Sequence, residues 1–285
     1  MADLSALRRA YAEMLRTAAN VQSEALVEAF ARVAREHFLG PGPWQIMSSP
    51  NLAYATTPDA DPAHLYRDVV VAIDATRLLN NGQPSALARW FDALALGAGE
   101  RVLHVGCGVG YYTAVLAETV GTSGQVTGIE YDAQLAARAA ANLAYLPNAS
   151  VQHGDGATID TGWRDAIFIN AGATHPRQLW LDRLTLGGRL VMPLTASLNC
   201  DNPNDLGMGL MLKVVREEDR YGAALFSPVG IFPCIGTRDP ESERSLREAF
   251  ARGNWESVRS LRRDPHDATD TCWLHGAEVC LSLLP

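Results

Sequence analysis

Residues 101–132 read RVLHVGCGVGYYTAVLAETVGTSGQVTGIEYD, and this stretch decides the fold class. Val102, Leu103 and Val105 form a β-type run, and glycines follow at Gly106, Gly108 and Gly110. Tyr111–Val120 has the length and apolar content of a helix, and Gln125–Ile129 supplies a second strand that ends on an acid, Glu130. Such a unit predicts a parallel sheet whose carboxyl edge carries bare backbone and a helix N-terminus, where adenosine cofactors bind. The glycine pattern is GxGxG. The dinucleotide pattern needs one more glycine, for close packing of helix on strand, at the place that Tyr111 fills. A nicotinamide cofactor is therefore disfavoured, and a mononucleoside cofactor such as S-adenosylmethionine is expected.

Two acids strengthen that expectation. Glu130 follows Gly110 by about twenty residues, the place of an acid that accepts hydrogen bonds from ribose hydroxyls. Val151–Gly156 reads VQHGDG, a short strand running into a Gly-Asp-Gly turn. Asp155 in that turn can accept from the exocyclic amine of adenine, since a buried amine without an acceptor costs about 1–3 kcal/mol. Singly, Glu130 also reads as a solvated strand end and Asp155 as a helix cap. Their order and spacing favour the cofactor reading.

The chain has 285 residues, 47% of them apolar, enough to bury a substantial core. Its net charge of −8 disfavours a nucleic-acid partner, which would call for a basic face. The one dense basic run, Arg259-Ser-Leu-Arg262-Arg263, reads as the solvated face of a late helix. Five cysteines, Cys107, Cys200, Cys234, Cys272 and Cys280, lack CxxC spacing. They are expected to be reduced, packed thiols in a cytoplasm, with no disulfide framework and no zinc or other metal site. No apolar run approaches the ~20 residues of a membrane span. The N-terminus is charged throughout, unlike a signal peptide. A soluble, cytoplasmic protein with no membrane partner is expected, and no feature specifies an oligomer.

Apolar and charged residues alternate at helical spacing over Leu4–Thr17 and Ser23–Glu36, which predicts two amphipathic helices, the second capped by Ser23. Residues 40–64 carry many prolines and read as a long covering or substrate loop. Leu65–Ala72 reads as extended, 80–84 as a tight turn, and Ser85–Leu96 as a helix begun after Pro84. From Arg101 to Pro193 strands and helices alternate, with Asp165–Asn170 and Gly188–Met192 as strands and Leu179–Arg183 as a short helix. Leu210–Val215 and Ala224–Phe232 add strands. After Pro240 come a charged helix, Glu241–Arg252, and a hairpin, Cys272–Leu284, turning about His275-Gly276. The expected class is α/β, a doubly wound, mostly parallel Rossmann-like sheet with N-terminal helices and a short C-terminal extension. Its parts are 1–97 (helices, covering loop and acceptor-side turn), 98–237 (cofactor-binding core) and 238–285 (extension).

The chain resembles the protein-L-isoaspartate O-methyltransferase family of S-adenosylmethionine-dependent methyltransferases from about Ala25 to Thr237. The landmarks are AFARVAREHFL, LYRD at Leu65–Asp68, Gln83-Pro84, VLHVGCGVGYYTAVLA, HGDG, DAIFINAGA, LGGRLVMPL and SPVGIFPCIG, all in the family's order. The resemblance implies S-adenosylmethionine as cofactor, held by Gly106, Gly108, Gly110, Glu130 and Asp155, with His104, Cys107, Tyr111, Tyr131 and Gly156 beside them. It also implies that the covering loop and the 80–84 turn meet a carboxylate acceptor, most simply an isoaspartyl residue in protein or peptide. Three departures stand out. Gly82 takes the place of the family's usual serine before Gln-Pro, His104 stands where the family tends to place an acid, and the chain continues well past Thr237.

A carboxylate acceptor is already ionised at neutral pH, its ordinary pKa being about 4, so no general base is required. Alignment against the methyl group can supply roughly 7–11 kcal/mol of the barrier. Asn81, Gly82 and Gln83 are the expected acceptor-side catalytic residues: Gly82 allows close backbone approach, and the amides of Asn81 and Gln83 can replace the missing hydroxyl. The same Asn-Gly pair also reads simply as a turn. Asn170, at the end of its strand, is expected on the acceptor side, with Thr174 or His175 as possible companions. Trp44, Trp163 and Trp180 read as packing residues. The divergent turn and the extension leave two alternatives: a biosynthetic methyltransferase acting on a small molecule or dedicated peptide, and a cofactor-binding protein without turnover.

Overall fold

The structure is a computed structural model and describes residues 3–48, 51–77, 79–198 and 206–285. Cys200 lies outside the described residues. The chain divides into two compact units, one of residues 1–100 and 107–153, the other of 101–106 and 154–285.

The first unit opens with α1 (Leu4–Ala19), α2 (Glu24–Arg32) and α3 (Arg35–Leu39). Ser23 caps α2 as expected, its hydroxyl accepting from Leu26 N at 3.3 Å. The segment expected to be a loop over 40–64 instead contains two strands, β1 (Gln45–Ser48) and β2 (Asn51–Thr56), which pair antiparallel. Prolines 41, 43, 58 and 62 lie outside these strands. The segment is stapled by an apolar cluster of Trp44, Leu65, Val69 and Val71, with Ile46 against it. The stretch expected to be extended from Leu65 begins as a 3-10 turn, Pro62–Leu65, and becomes β3 only at Val70–Asp74, beside the two-residue β4 (Leu79–Asn80). α4 (Pro84–Ala93) starts on proline, whose missing N–H costs nothing at a helix start.

After α4 the chain passes through β5 (Arg101–Val105), which belongs to the second unit, and returns to the first with α5 (Tyr111–Val120). Nine of the ten residues of α5 are buried, so it is a core helix and not an amphipathic one. β6 (Gln125–Glu130), α6 (Ala133–Leu143) and β7 (Ala149–His153) complete this unit, and β6 runs parallel to β7.

In the second unit β5 pairs parallel with β8 (Arg164–Ile169), and a short α7 (Gln178–Asp182) leads into β9 (Leu184–Ser197), which runs parallel to β8. β10 (Gly207–Arg216) and β11 (Tyr221–Ile231) then turn the sheet antiparallel. α8 (Pro240–Arg252), β12 (Ser260–Arg262), β13 (Cys272–His275) and β14 (Cys280–Ser282) follow. The strand order within this unit is β13-β14-β12-β11-β10-β9-β8-β5. Residues 240–285 are therefore built into the unit of β8–β11, and the Cys272–Leu284 hairpin forms as expected. The Arg259–Arg263 run, expected on a helix face, lies instead at β12. Among the described residues no helix is long and apolar enough to cross a membrane.

Candidate active site

In the first unit the glycine turn closes on itself and on β6. Cys107 N donates to Ile129 O at 3.2 Å and Gly110 N to Cys107 O at 3.0 Å. Gly108 and Gly110 stand at φ 57° and 93°, a region costly for any residue with a Cβ, and Gly110 caps α5. The structure brings Glu130 to this turn: one carboxylate oxygen accepts from Gly108 N at 2.7 Å and the other from Asp132 N at 3.0 Å. Asp132 in turn caps α6 and pairs with Arg77. Tyr131, beside Glu130, is 53% exposed, so its ring is open to a ligand.

Cys107 and Tyr111 are placed differently. Cys107 is buried, which pushes its thiol above the usual range. Tyr111 is packed edge-on against Phe38 and Tyr112, with burial raising its hydroxyl well above normal. Their side chains are core groups; only the Cys107 backbone belongs to the turn.

The 80–84 segment lies in the same unit. Asn81 is buried, its backbone N–H donates to Val71 O at 3.0 Å, and its Oδ1 accepts from Val71 N at 2.9 Å and Arg35 Nη2 at 3.2 Å. Of its donors only Nδ2 has no partner. Gly82 has φ 73°, and its N–H donates to Asn80 Oδ1. Gln83 is exposed, and its Nε2 donates to Asp68 Oδ2 at 2.9 Å. Two residues without an assigned role in the sequence organise this region. Arg35, wholly buried, donates to Leu65 O at 2.6 Å and Val69 O at 2.7 Å besides Asn81. Asp68 accepts from Ser85 N at 2.9 Å and Ser85 Oγ at 2.7 Å as well as from Gln83. Both residues stand in the quoted landmarks AFARVAREHFL and LYRD, the one available pointer to them.

In the second unit Gly106 has φ 76°, and a Cβ there would stand 3.3 Å from Asn170 O. Asn170 is brought to this glycine, with Nδ2 3.4 Å from Gly106 O and its backbone N–H on Val105 O at 2.8 Å. Asp155 Oδ1 accepts from Ala157 N at 2.8 Å, the local capping bond that its turn invites. A Cβ on Gly236 would lie 2.9 Å from Asp155 Oδ2, so this glycine keeps space in front of that oxygen. Gly156 has no room for a side chain, since a Cβ would meet Val105 Cγ1 at 2.4 Å, and its carbonyl accepts from Trp180 Nε1 at 2.8 Å.

His104 lies in the core of the second unit. Its exposure is 0%, its ring packs against Phe168, and burial lowers its pKa to about 3, so it is a neutral core group. Thr174 and His175 are likewise absorbed into the fold: Thr174 Oγ1 donates to Thr237 O at 3.0 Å and touches His175 Nδ1 at 3.0 Å, and burial lowers the His175 pKa. Trp44 and Trp180 pack as expected, whereas Trp163 is half exposed beneath the guanidinium groups of Arg183 and Arg216. The described cysteines fall into two groups. Cys272 and Cys280 gather with His266 and His275, while Cys107 and Cys234 are buried outside that group.

A family model described as protein-L-isoaspartate(D-aspartate) O-methyltransferase matches residues 8–202. A protein-L-isoaspartate O-methyltransferase of Methylorubrum populi is 34% identical over 235 residues, 79% of this chain and 95% of its own. One of Methylorubrum extorquens is 33% identical over 248 residues, 84% and 93% of the two chains. With protein-L-isoaspartate O-methyltransferase 1 of Rhodopseudomonas palustris the identity is 46% over 121 residues, and the match spans 40% of this chain and 47% of that relative. Among solved structures, a protein-L-isoaspartate O-methyltransferase superposes with a TM-score of 0.65 at 23% identity, covering 85% of this chain and 70% of that one. A Plasmodium falciparum chain named as a β-aspartate methyltransferase, in complex with S-adenosyl-L-homocysteine, gives 0.60 at 17% identity, with 81% and 99% covered. These two likenesses establish the doubly wound α/β fold.

Proposed function

Since the chain belongs to the protein-L-isoaspartate(D-aspartate) O-methyltransferase family, we propose that it methylates the side-chain carboxylate of isoaspartyl residues in proteins or peptides. Its cofactor is S-adenosylmethionine, which supplies a methyl group carried on a positively charged sulfur. The observation that carries the residue assignment is the Glu130 carboxylate on Gly108 N at 2.7 Å, an acid fixed against a positive-φ glycine turn. The backbone of Gly106, Cys107, Gly108 and Gly110 is the cradle in this reading. Glu130 receives the ribose hydroxyls, Tyr131 flanks them, and the open oxygen of Asp155 receives the adenine amine next to Gly156. The side chains of His104 and Tyr111 are buried and serve by packing, each within its own unit.

On the acceptor side Gln83 and the Gly82 backbone meet the carboxylate, Asn81 holds their turn with one donor unspent, and Asn170 holds the Gly106 peptide. These groups bind and orient an acceptor that is already an anion, and fixed amide donors replace the water around it. The scattered spacing of the five cysteines, with no CxxC pair, supports a reducing, cytoplasmic setting. One observation favours a second reading: Gly82, in place of the family's usual serine, removes a hydroxyl from the acceptor turn, which suits a dedicated peptide or small-molecule carboxylate.

Labelled S-adenosylmethionine offered with matched isoaspartyl and aspartyl peptides separates the two. Label on the isoaspartyl peptide alone, released as methanol in base, is the expected result. Absence of label on both, with S-adenosylhomocysteine bound, would replace the first reading with the second.

A further inference from the structure

The C-terminal extension gathers two histidines and two cysteines at one point. His266, Cys272, His275 and Cys280 each offer one ligand atom, and the four atoms all lie within 4.8 Å of one another. The hairpin explains how they meet. His275 stands directly opposite Cys280 in the β13–β14 ladder, so their side chains share a face. Cys272 is three residues from His275, a spacing that sends side chains to opposite faces of a regular strand. The register slips between Cys272 and Leu274, and a slip of this kind re-aims one side chain. His266 arrives from the irregular segment that joins β12 to β13.

The chemistry of the four groups is that of metal ligands. His266 Nδ1 lies 2.7 Å from Asp264 O, and because a carbonyl only accepts, this nitrogen carries the proton. In the neutral ring Nε2 then carries the lone pair, and it lies 3.6 Å from Cys272 Sγ. A carbonyl on the far nitrogen is the usual support of a metal-bound histidine. Tetrahedral zinc, with bonds of ~2.3 Å to sulfur and ~2.0–2.1 Å to nitrogen, holds such a pair about 3.6 Å apart. Cys272 Sγ also accepts from Thr269 N at 3.4 Å. His275 Nδ1 is buried without a hydrogen-bond partner, a state that an imidazole leaves by ligating a metal.

We propose that His266, Cys272, His275 and Cys280 form a structural zinc site that ties the β12–β13 segment to the β13–β14 hairpin. Two thiolates select zinc over magnesium or calcium. Four protein ligands leave no open coordination position, so the ion is structural and takes no part in methyl transfer. Closing the set round an ion requires a movement of no more than about 1.5 Å, since the four atoms start within 4.8 Å of one another and tetrahedral zinc holds its ligand atoms ~3.3–3.8 Å apart. The ligand spacing is His-x5-Cys-x2-His-x4-Cys. A search for CxxC pairs passes over it, because the close pair is Cys-x-x-His.

The test uses the full chain, purified reduced and without a metal-binding tag. Elemental analysis should find about one zinc per chain, as a Cys2His2 site requires. Replacing the ion with cobalt should give the intense visible bands of a tetrahedral ion together with thiolate-to-cobalt charge transfer. C272S and C280S should each lower zinc content at least tenfold, whereas C107S, outside the cluster, should leave it unchanged. Because the cobalt spectrum is read on the unaltered protein, misfolding of a variant does not blunt the test. Sub-stoichiometric zinc in the wild-type chain, with Cys272 and Cys280 alkylated freely before any chelator is added, would overturn the proposal. So would a Cys272–Cys280 disulfide in the reduced preparation. Zinc content is independent of methyl transfer, so this result and the peptide assay succeed or fail separately.

Discussion

Both oxygens of Glu130 are engaged in the first unit, one on Gly108 N and one on Asp132 N. In E130Q an amide NH2 must face one of these N–H donors, and the charge that favours ribose hydroxyls is gone. A hydrogen bond to a charged group contributes about 1.5–3 kcal/mol, so affinity for S-adenosylhomocysteine should fall about 10- to 100-fold. Calorimetric titration reads this directly, and unchanged affinity would remove Glu130 from the cofactor site. Glu130 was legible in the sequence because a strand that ends on an acid after a glycine turn leaves that acid few places to go. His104 was legible as a strand residue but not in its direction: β5 is buried on both faces, so alternation says nothing about which side meets a ligand. Arg35 was not legible, since its partners are the carbonyls of Leu65 and Val69 and side-chain identity does not reveal backbone acceptors. R35M would leave both carbonyls and Asn81 Oδ1 without that donor. At about 1–3 kcal/mol for each unsatisfied group, urea denaturation should show a loss of at least ~3 kcal/mol.

The start of α4 and the turn before it are one construction. Asp68 accepts from Ser85 N and Oγ inside the first turn of the helix and from Gln83 Nε2 just ahead of it. D68A removes a capping acceptor, a loss of about 1–2 kcal/mol in the melting of the whole chain. It also loosens Gln83. We expect kcat/KM for a peptide acceptor to fall about tenfold, the equivalent of ~1.4 kcal/mol, with S-adenosylhomocysteine affinity within about twofold of wild type. Equal loss of both would make Asp68 a purely structural cap. Elements whose boundary carries its own chemistry, such as Pro84 at α4 and Ser23 at α2, were read correctly from sequence. β1 and β2 were not, because flanking prolines announce a loop while the pairing that makes these strands depends on distant apolar residues such as Val71.

For the molecule as a whole, residues 240–285 complete the second unit. Leu246, Leu261, Trp273, Leu274 and Leu281 are all buried, Trp273 Nε1 donates to Gly253 O at 2.7 Å, and Glu243 accepts from Ser197 N at 2.8 Å. Each large apolar side chain contributes about 1.5–3 kcal/mol by burial. Five of them together rival the ~5–15 kcal/mol that holds a typical domain folded. Truncation after Thr237 should therefore give an aggregated chain, measured by soluble yield and light scattering. A soluble truncated protein with a normal melting transition would make the extension an accessory. The sequence announced the hairpin there but not the convergence of its cysteines and histidines, because a one-residue slip in the ladder decides where Cys272 points. The pairing of β5 with β8 also has a timing. Arg101 N meets Asp165 Oδ2 across 64 residues of chain, and most of those residues belong to the other unit. At a synthesis rate of ~5–20 residues per second, β5 leaves the ribosome about 3–13 seconds before its partner strand exists. For that interval the edge of β5 that β8 will cover stands open, a row of backbone N–H and C=O groups free to pair with another strand.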